Sequence, residues 1–266
     1  MFTNEVYMKI IDLSKGYEQD YLICLEEWAD YMKVAGNKKK EWFEYFKDKG
    51  LRVKLAINDE GVFAGFIQYL PIEHSVARGE DLYFILCIWI HGHKLGRGNL
   101  QGQGMGPALL KAAEDDIRQR GAKGVAAWGL TAPYWMNAAW FGKYGYSICD
   151  EDGMSALVWK PFTDDAKAPK WYRQTKDPEL TEGKVTVSLF NYGWCPSQNY
   201  NYELTLKIAH EFGDKVVVKL YDTKDKAIRE EWGLSDALFV DNEMIPNGPP
   251  ITPETIREMI GKKVKN

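Results

Sequence analysis

The sequence predicts an α/β (α+β) chain in two units: a mixed central sheet flanked by helices, then a small β-α-β-α-β-β-α domain. Three observations carry this expectation. "DLYFILCIWI" (81–90) is continuously apolar, β-branched and aromatic, which suits a strand buried on both faces. It leads into "GNLQGQGMGPALLKA" (98–112), a glycine-rich turn that opens an apolar-periodic helix. The polar, proline-containing stretch "TDDAKAPKWYRQTKDPELTEGK" (163–184) lacks apolar periodicity and divides the chain. Domains are therefore expected at 1–162 and 184–266, with a linker at 163–183.

Taken in order, residues 18–48 read as two helices broken at "VAGNKK", with helical apolar spacing in "YLICLEEWADYM" and "EWFEYFKD". "RVKLAINDEGVFAGFIQYLP" reads as a hairpin turning at Asn58–Gly61. After the buried strand and the glycine turn, Pro107 suits the first helical turn. Leu109, Leu110, Ala113 and Ile117 then form the apolar face, and Gly121 the stop. "GVAAWGL" (124–130) reads as a strand, "YWMNAAWFGKYG" as a helix and "ALVWKPF" as a closing strand. Beyond the linker come the strand "VTVSLF", the sharp turn "NYGWCPSQN" and a helix around 202–212. The strand "KVVVKLY", a helix near 224–232, the hairpin "ALFVDNEMI" and a last helix at 253–264 complete the second unit.

Composition limits the function classes. The 266 residues are 45% hydrophobic and 27% charged, and 34 basic against 38 acidic residues leave a net charge of -4. That balance gives no electrostatic reason to expect nucleic acid or an anionic membrane as partner. No apolar run approaches the roughly 20 residues of a membrane-spanning helix. The N-terminal segment has no signal-peptide apolar region, and Cys24, Cys87, Cys149 and Cys195 form no C-x-x-C pair. A cytoplasmic protein with reduced thiols is expected.

The glycine turn points to chemistry. Between a buried strand and a helix it exposes several backbone N–H groups at the positive end of the helix dipole, an anion site for which phosphate is the usual guest. The alternative is that the glycines only make a tight turn. No G-K-[ST] follows, and the spacing is not G-x-G-x-x-G, so neither a Walker loop nor a dinucleotide fold is supported.

The run Gln101, Gly102, Gln103, Gly104, Met105, Gly106 resembles the Q/R-x-x-G-x-G/A pyrophosphate loop of the GNAT family of acyl-CoA-dependent N-acetyltransferases. "AAWFGKYGY" (138–146) is similar to that family's A-x-x-F-Y-E-K-x-G-[F/Y] motif, and the order of elements agrees over roughly residues 5–162. The resemblance implies acetyl-CoA as cosubstrate, an amine of a small molecule or peptide as acceptor, and the 101–106 amides as the pyrophosphate cradle. It also implies a central strand splayed from its neighbour, with the backbone of Ile88 and Ile90 facing pantetheine and the acetyl carbonyl. A backbone N–H there stabilises the tetrahedral oxyanion. The family's tyrosine acid falls on Phe141, which has no proton to give. Tyr144, one turn further on, is the candidate acid, with a packing role for it and protonation by water both left open. Glu73 is the first choice of base, with His74, Asp81 and His91 as alternatives. His91-x-His93 has metal-ligand spacing without a further ligand beside it, so no metal is expected. The loop 91–100 is long for the family and is expected to lie over the cofactor.

"FNYGWCPSQNYNYELTLKIA" resembles the W-C-x-x-C helix start of thioredoxins and glutaredoxins, and "NGPPITPETIREMI" resembles the end of such domains. Together with the first unit this looks like the YoaP-like acetyltransferases. A helix N-terminus favours a thiolate, so Cys195 is the expected reactive thiol. Gln198 stands where a resolving cysteine would be, and Ser235 and Asp236 stand where such domains carry a cis-proline, so dithiol exchange is not expected. Two readings stay open: an N-acetyltransferase, or a catalytically weak CoA-binding or thiol-sensing regulatory module.

Overall fold

A computed structural model describes residues 8–246 and 250–265. The first residues of the N-terminal segment, and Asn247, Gly248 and Pro249 of "NGPPITPETIREMI", lie outside the described residues. The chain divides into two compact units. One gathers the chain up to Trp28 and Tyr45–Trp171, and the other gathers Ala29–Glu44 and the chain from Tyr172 on.

The elements run β1 (Lys9–Asp12), α1 (Glu18–Leu22), α2 (Asp30–Phe46), β2 (Arg52–Ile57), β3 (Phe63–Pro71), β4 (Ala77–Arg78) and β5 (Leu82–Ile90). Then come α3 (Met105–Gln119), β6 (Gly124–Leu130), α4 (Ala138–Gly142), β7 (Ser147–Asp152), β8 (Ser155–Pro161) and β9 (Lys170–Trp171). Most of the first unit's strands form one sheet in the order β1-β2-β3-β5-β6-β8-β7. Every neighbouring pair in it is antiparallel except β5 and β6. A parallel pair needs a crossover, and α3 supplies it. Leu109, Leu110, Ala113 and Ile117 of α3 are buried in one core with Ile67, Tyr69, Ile85 and Val125, as the helical spacing requires. At the turn between β2 and β3 the Asn58 side chain accepts from the N–H groups of Glu60 and Val62, the local bond that makes Asn a turn residue.

The first helical region departs from expectation. The chain breaks at residues 23–29, where Cys24 and Leu25 take positive φ, and α2 runs unbroken through "VAGNKK". Packing overrides the cost of a mid-helix glycine: Ala35, Lys39 and Trp42 are all buried. The short strands β1, β4 and β9 were not expected.

The second unit continues with β10 (Val185–Asn191), α5 (Pro196–Glu211), β11 (Val216–Asp222), α6 (Lys226–Trp232), β12 (Ala237–Val240), β13 (Glu243–Ile245) and α7 (Pro253–Val264). Its sheet order is β11-β10-β12-β13. β10 pairs parallel with β11 and antiparallel with β12, and β12 pairs antiparallel with β13. Val187, Leu189, Leu238 and Val240 meet Ile208 of α5 and Ile256 and Ile260 of α7 in its core. Within this unit α2 lies on the turn before α5. Asn199 donates to the Ala35 carbonyl at 3.3 Å, and the Trp42 and Tyr192 ring centroids are 6.1 Å apart.

Candidate functional site

The site grows from an interrupted pairing. β5 and β6 pair from Leu82↔Gly124 to Ile85↔Ala127 and no further. β6 stays paired with β8 to Leu130, and β5 stays paired with β3 to Ile90. The two central strands therefore separate, and the second half of β5 has an open edge. A bare strand edge must find partners for its carbonyls. Trp128 Nε1 donates to the Leu86 carbonyl at 2.7 Å, Trp135 Nε1 to Ile88 at 3.1 Å and Gln101 Nε2 to Ile90 at 3.0 Å. Two indoles and one amide cap three carbonyls along that edge.

The Gln101 bond ties the open edge to the glycine turn. Gly102 and Gly104 sit at φ 80° and 79°, the left-handed region that disfavours side chains, and a Cβ on either would meet nothing within 4 Å. Their glycine character thus serves backbone conformation and leaves the space beside the turn open. Gly104 is the N-cap of α3. The N–H groups of Gly102, Gln103, Gly104, Met105 and Gly106 make no hydrogen bond among the described residues, and Pro107 has none to offer. The Gln101 N–H is different, since it donates to the Asn99 side chain at 3.0 Å. The free amides therefore begin at Gly102. Together with the dipole of a 15-residue helix they form an anion cradle.

The expected catalytic residues fall in different places. Tyr144 lies against Trp140 at 4.8 Å between centroids, and a Cβ on Gly106 would meet the Trp140 ring at 3.5 Å. Tyr144 is thus joined to the cradle side through one indole. Phe141 is fully buried between Trp140 and Tyr146. Glu73 follows the end of β3 that pairs Pro71 with Tyr83, whereas the open edge lies at the Gly65↔Ile90 end. Seven residues of strand, roughly 20 Å, separate them. Glu73 instead lines a cavity of about 280 Å³ with Asp81, Tyr83 and Arg120. Asp81 pairs with Lys123 at 3.2 Å at the same end.

Loop 91–100 is pinned rather than free. His91 Nδ1 lies 2.5 Å from the Gly98 carbonyl, and a carbonyl only accepts, so the ring carries its proton there. Burial pulls its pKa down, favouring this neutral ring. Arg97 donates to the Phe63 carbonyl and pairs with Asp20 and Glu27, which clamps the loop to α1, the segment after it and the start of β3.

That clamp assembles a group of which the sequence marked only His93, by its spacing from His91. His93 Nε2 lies 3.6 Å from Glu26 Oε1, and the His93 ring is flanked by Trp28 at 5.1 Å and Trp89 at 5.8 Å. Burial pushes the Glu26 carboxyl up, while His93 pulls it the other way. The chain's ten tryptophans and the His91-x-His93 spacing were the available hints. Among the described residues no group of three or more His, Cys, Asp or Glu is arranged to hold a metal ion, and no helix is long and apolar enough to cross a membrane.

The decisive comparison is with known families. The sequence pattern of the acetyltransferase (GNAT) family matches residues 14–146. The chain belongs to that family. Its splayed strands, glycine cradle and crossover helix all lie inside the matched residues. A Bacillus subtilis protein described as the uncharacterized N-acetyltransferase YoaP is 24% identical over 197 residues, covering 71% of this chain and 73% of that protein. Among solved structures, the PaiA N-acetyltransferase of Thermoplasma acidophilum in complex with coenzyme A is 15% identical. The match covers 59% of this chain and 99% of that one, with a TM-score of 0.43. A GNAT acetyltransferase of Brucella melitensis in complex with acetyl-CoA is 16% identical over 60% of this chain and 92% of its own, with a TM-score of 0.40.

Proposed function

We propose that this GNAT-family chain is an N-acetyltransferase that takes its acetyl group from acetyl-CoA and passes it to an amine. The observation that carries the reading is the joining of an open strand edge to an anion cradle by one residue, Gln101. The unbonded amides of Gly102 to Gly106 suit a pyrophosphate, and side chains at Gly102 or Gly104 would intrude on it. A strand presents the N–H and C=O of one residue on the same edge. The Ile88 and Ile90 groups therefore suit the repeated amides of a pantetheine arm. When bound, the thioester supplies an activated acetyl carbonyl. The chain's own contribution is a fixed backbone N–H on the open edge, directed at developing negative charge in a site with little water.

Tyr144 is the candidate proton donor by its tie to Trp140. Phe141 favours the second reading, a catalytically weak CoA-binding module, since a buried phenyl ring has no proton to donate. For the second unit, the strand order β11-β10-β12-β13 with one parallel pair supports a thioredoxin-like domain. Cys195 at the start of α5 is its candidate reactive thiol. Four cysteines with no disulfide among the described residues suit a reducing compartment such as the cytoplasm.

Calorimetry with acetyl-CoA on wild type and Gly104→Glu, followed by turnover with a panel of amines, tests the reading. Binding by the wild type, loss of binding in the folded variant and release of free CoA only with an amine are expected. Equal affinity in the folded variant would exclude the cradle, and binding without turnover on any amine would favour the second reading.

A further inference from the structure

The transfer reading leaves the cluster beyond the open edge without a task. It is continuous with that edge. Trp135, which caps Ile88, lies 5.2 Å from Trp128 and 6.3 Å from Trp89 between ring centroids, and Trp89 leads to His93 and Trp28. We propose that Trp28, Trp89 and His93, with Glu26 behind His93, form the acceptor pocket, and that the acceptor is a cationic amine on a flat aromatic body. This rests on the acetyltransferase reading.

Three observations support the assignment. The first is unused polarity. Trp89 Nε1 and the fully buried His91 Nε2 have no hydrogen-bond partner, although buried polar groups nearly always have one. The His91 ring lies 5.0 Å from Trp28 and 5.7 Å from His93, so its orphan nitrogen belongs to this cluster. The second is exposed aromatic surface at the splay, where Tyr134 and Trp135 keep 66% and 39% of their area in solvent. Flat aromatic surface is where a ring-bearing ligand gains most. The third is charge. Arg97 is bonded to Asp20, Glu27 and the Phe63 carbonyl, whereas Glu26 pairs with His93. Lys94, on the same loop, is exposed. Glu26 is left with His93, and a carboxylate beside indole faces favours an ammonium and disfavours an acceptor carrying its own carboxylate.

The pocket also supplies a proton acceptor. Glu26 beside Nε2 favours the His93 tautomer protonated there, leaving Nδ1 with a lone pair. One ammonium proton passes to Nδ1 and on to water. The neutral nitrogen bonds to the acetyl carbon as the carbon–sulfur bond breaks, and its second proton ends on sulfur. Amide, free thiol and one released proton balance the ammonium and thioester consumed. His93 is thus the catalytic residue, and Glu26 positions it.

Turnover of acetyl-CoA with phenethylamine, tryptamine, butylamine and phenylalanine tests this. The arylalkylamines should exceed butylamine by about tenfold in kcat/KM, the scale of one aromatic contact, and should exceed phenylalanine similarly because its carboxylate faces Glu26. Trp89→Leu should raise KM for phenethylamine several-fold more than KM for butylamine, which loses the cation–π contact but has no ring to lose. His93→Gln should lower kcat far more than it raises KM, and Glu26→Gln should move the acid limb of the pH profile. Equal rates with butylamine or phenylalanine would overturn the proposal. If acetyl-CoA binds but no arylalkylamine is acetylated, the pocket assignment fails and the donor site stands. If acetyl-CoA does not bind, the transferase reading fails, and phenethylamine quenching of tryptophan fluorescence still decides the pocket. Quenching lost in Trp89→Leu supports it, and no quenching in wild type refutes it.

Discussion

Trp135→Phe isolates one hydrogen bond at the centre of the site. Trp135 Nε1 donates to the Ile88 carbonyl at 3.1 Å, on the edge proposed to receive the pantetheine arm. A ligand amide can take that carbonyl only after the indole has left it. A hydrogen bond of this kind has a net value of about 0.5–1.5 kcal/mol. Removing the competitor should therefore tighten acetyl-CoA binding by roughly 2- to 10-fold. Phenylalanine keeps a ring against Trp128 and Trp89 and removes only the donor. Isothermal calorimetry on the two proteins reads the difference directly. In wild type, acetyl-CoA should also change tryptophan fluorescence as the Trp135 indole loses its acceptor, and that component should be absent from the variant. Affinity in Trp135→Phe that is unchanged or weaker would refute the idea that the ligand uses the Ile88 carbonyl.

Other perturbations probe the thiols and the second unit. Alkylation followed cysteine by cysteine should find Cys195, at the start of α5, faster than buried Cys87. It should also be faster than Cys149, whose thiol burial pushes up to about 12. Equal rates for Cys195 and Cys87 would remove the basis for a reactive thiol. Asp236 accepts from the Tyr192 N–H at 3.0 Å, and burial lifts its pKa from 3.8 to about 6. Folding therefore favours its protonated form, so its contribution to stability is full below about pH 4 and is lost as pH rises through about 6. Asp236→Asn keeps the acceptor and should flatten the fall of Tm over that window, whereas an identical pH profile would contradict this. Gly233 sits at φ +67°, and a Cβ there would collide with the Arg173 carbonyl. Gly233→Ala should thus cost more than the ~1–2 kcal/mol of left-handed strain alone, measured by urea unfolding.

The parts of the site made of contiguous residues were readable in the sequence. The strand expected at 81–90 appears as Leu82–Ile90, and the helix after the glycine turn buries the four residues its spacing selected. Local chemistry fixes both, since continuous apolarity demands a central strand and a glycine turn leaves bare amides. What was not readable depends on contacts across the chain. Glu26 and His93 meet only because Arg97 clamps two distant segments together. The indole caps on Leu86 and Ile88 come from residues well beyond the strand they serve. Glu73 seemed close to the chemistry because it follows a strand beside β5, but antiparallel pairing carries that strand's end away from the splay. The break in the first helical region was misplaced because Gly36 marks a weak point in propensity, while burial of Ala35, Lys39 and Trp42 decides the helix.

The most direct test of the account is a titration of the ¹⁵N-labelled protein with acetyl-CoA, following the backbone amides one by one. The Gly102, Gln103, Gly104, Met105 and Gly106 resonances should move furthest and saturate together, with those of Ile88 and Ile90 following the same isotherm. The Gln101 amide, already bonded to Asn99, should move less. Binding that leaves the 102–106 amides in place, or no binding at all, would contradict the claim that this turn holds the acyl donor.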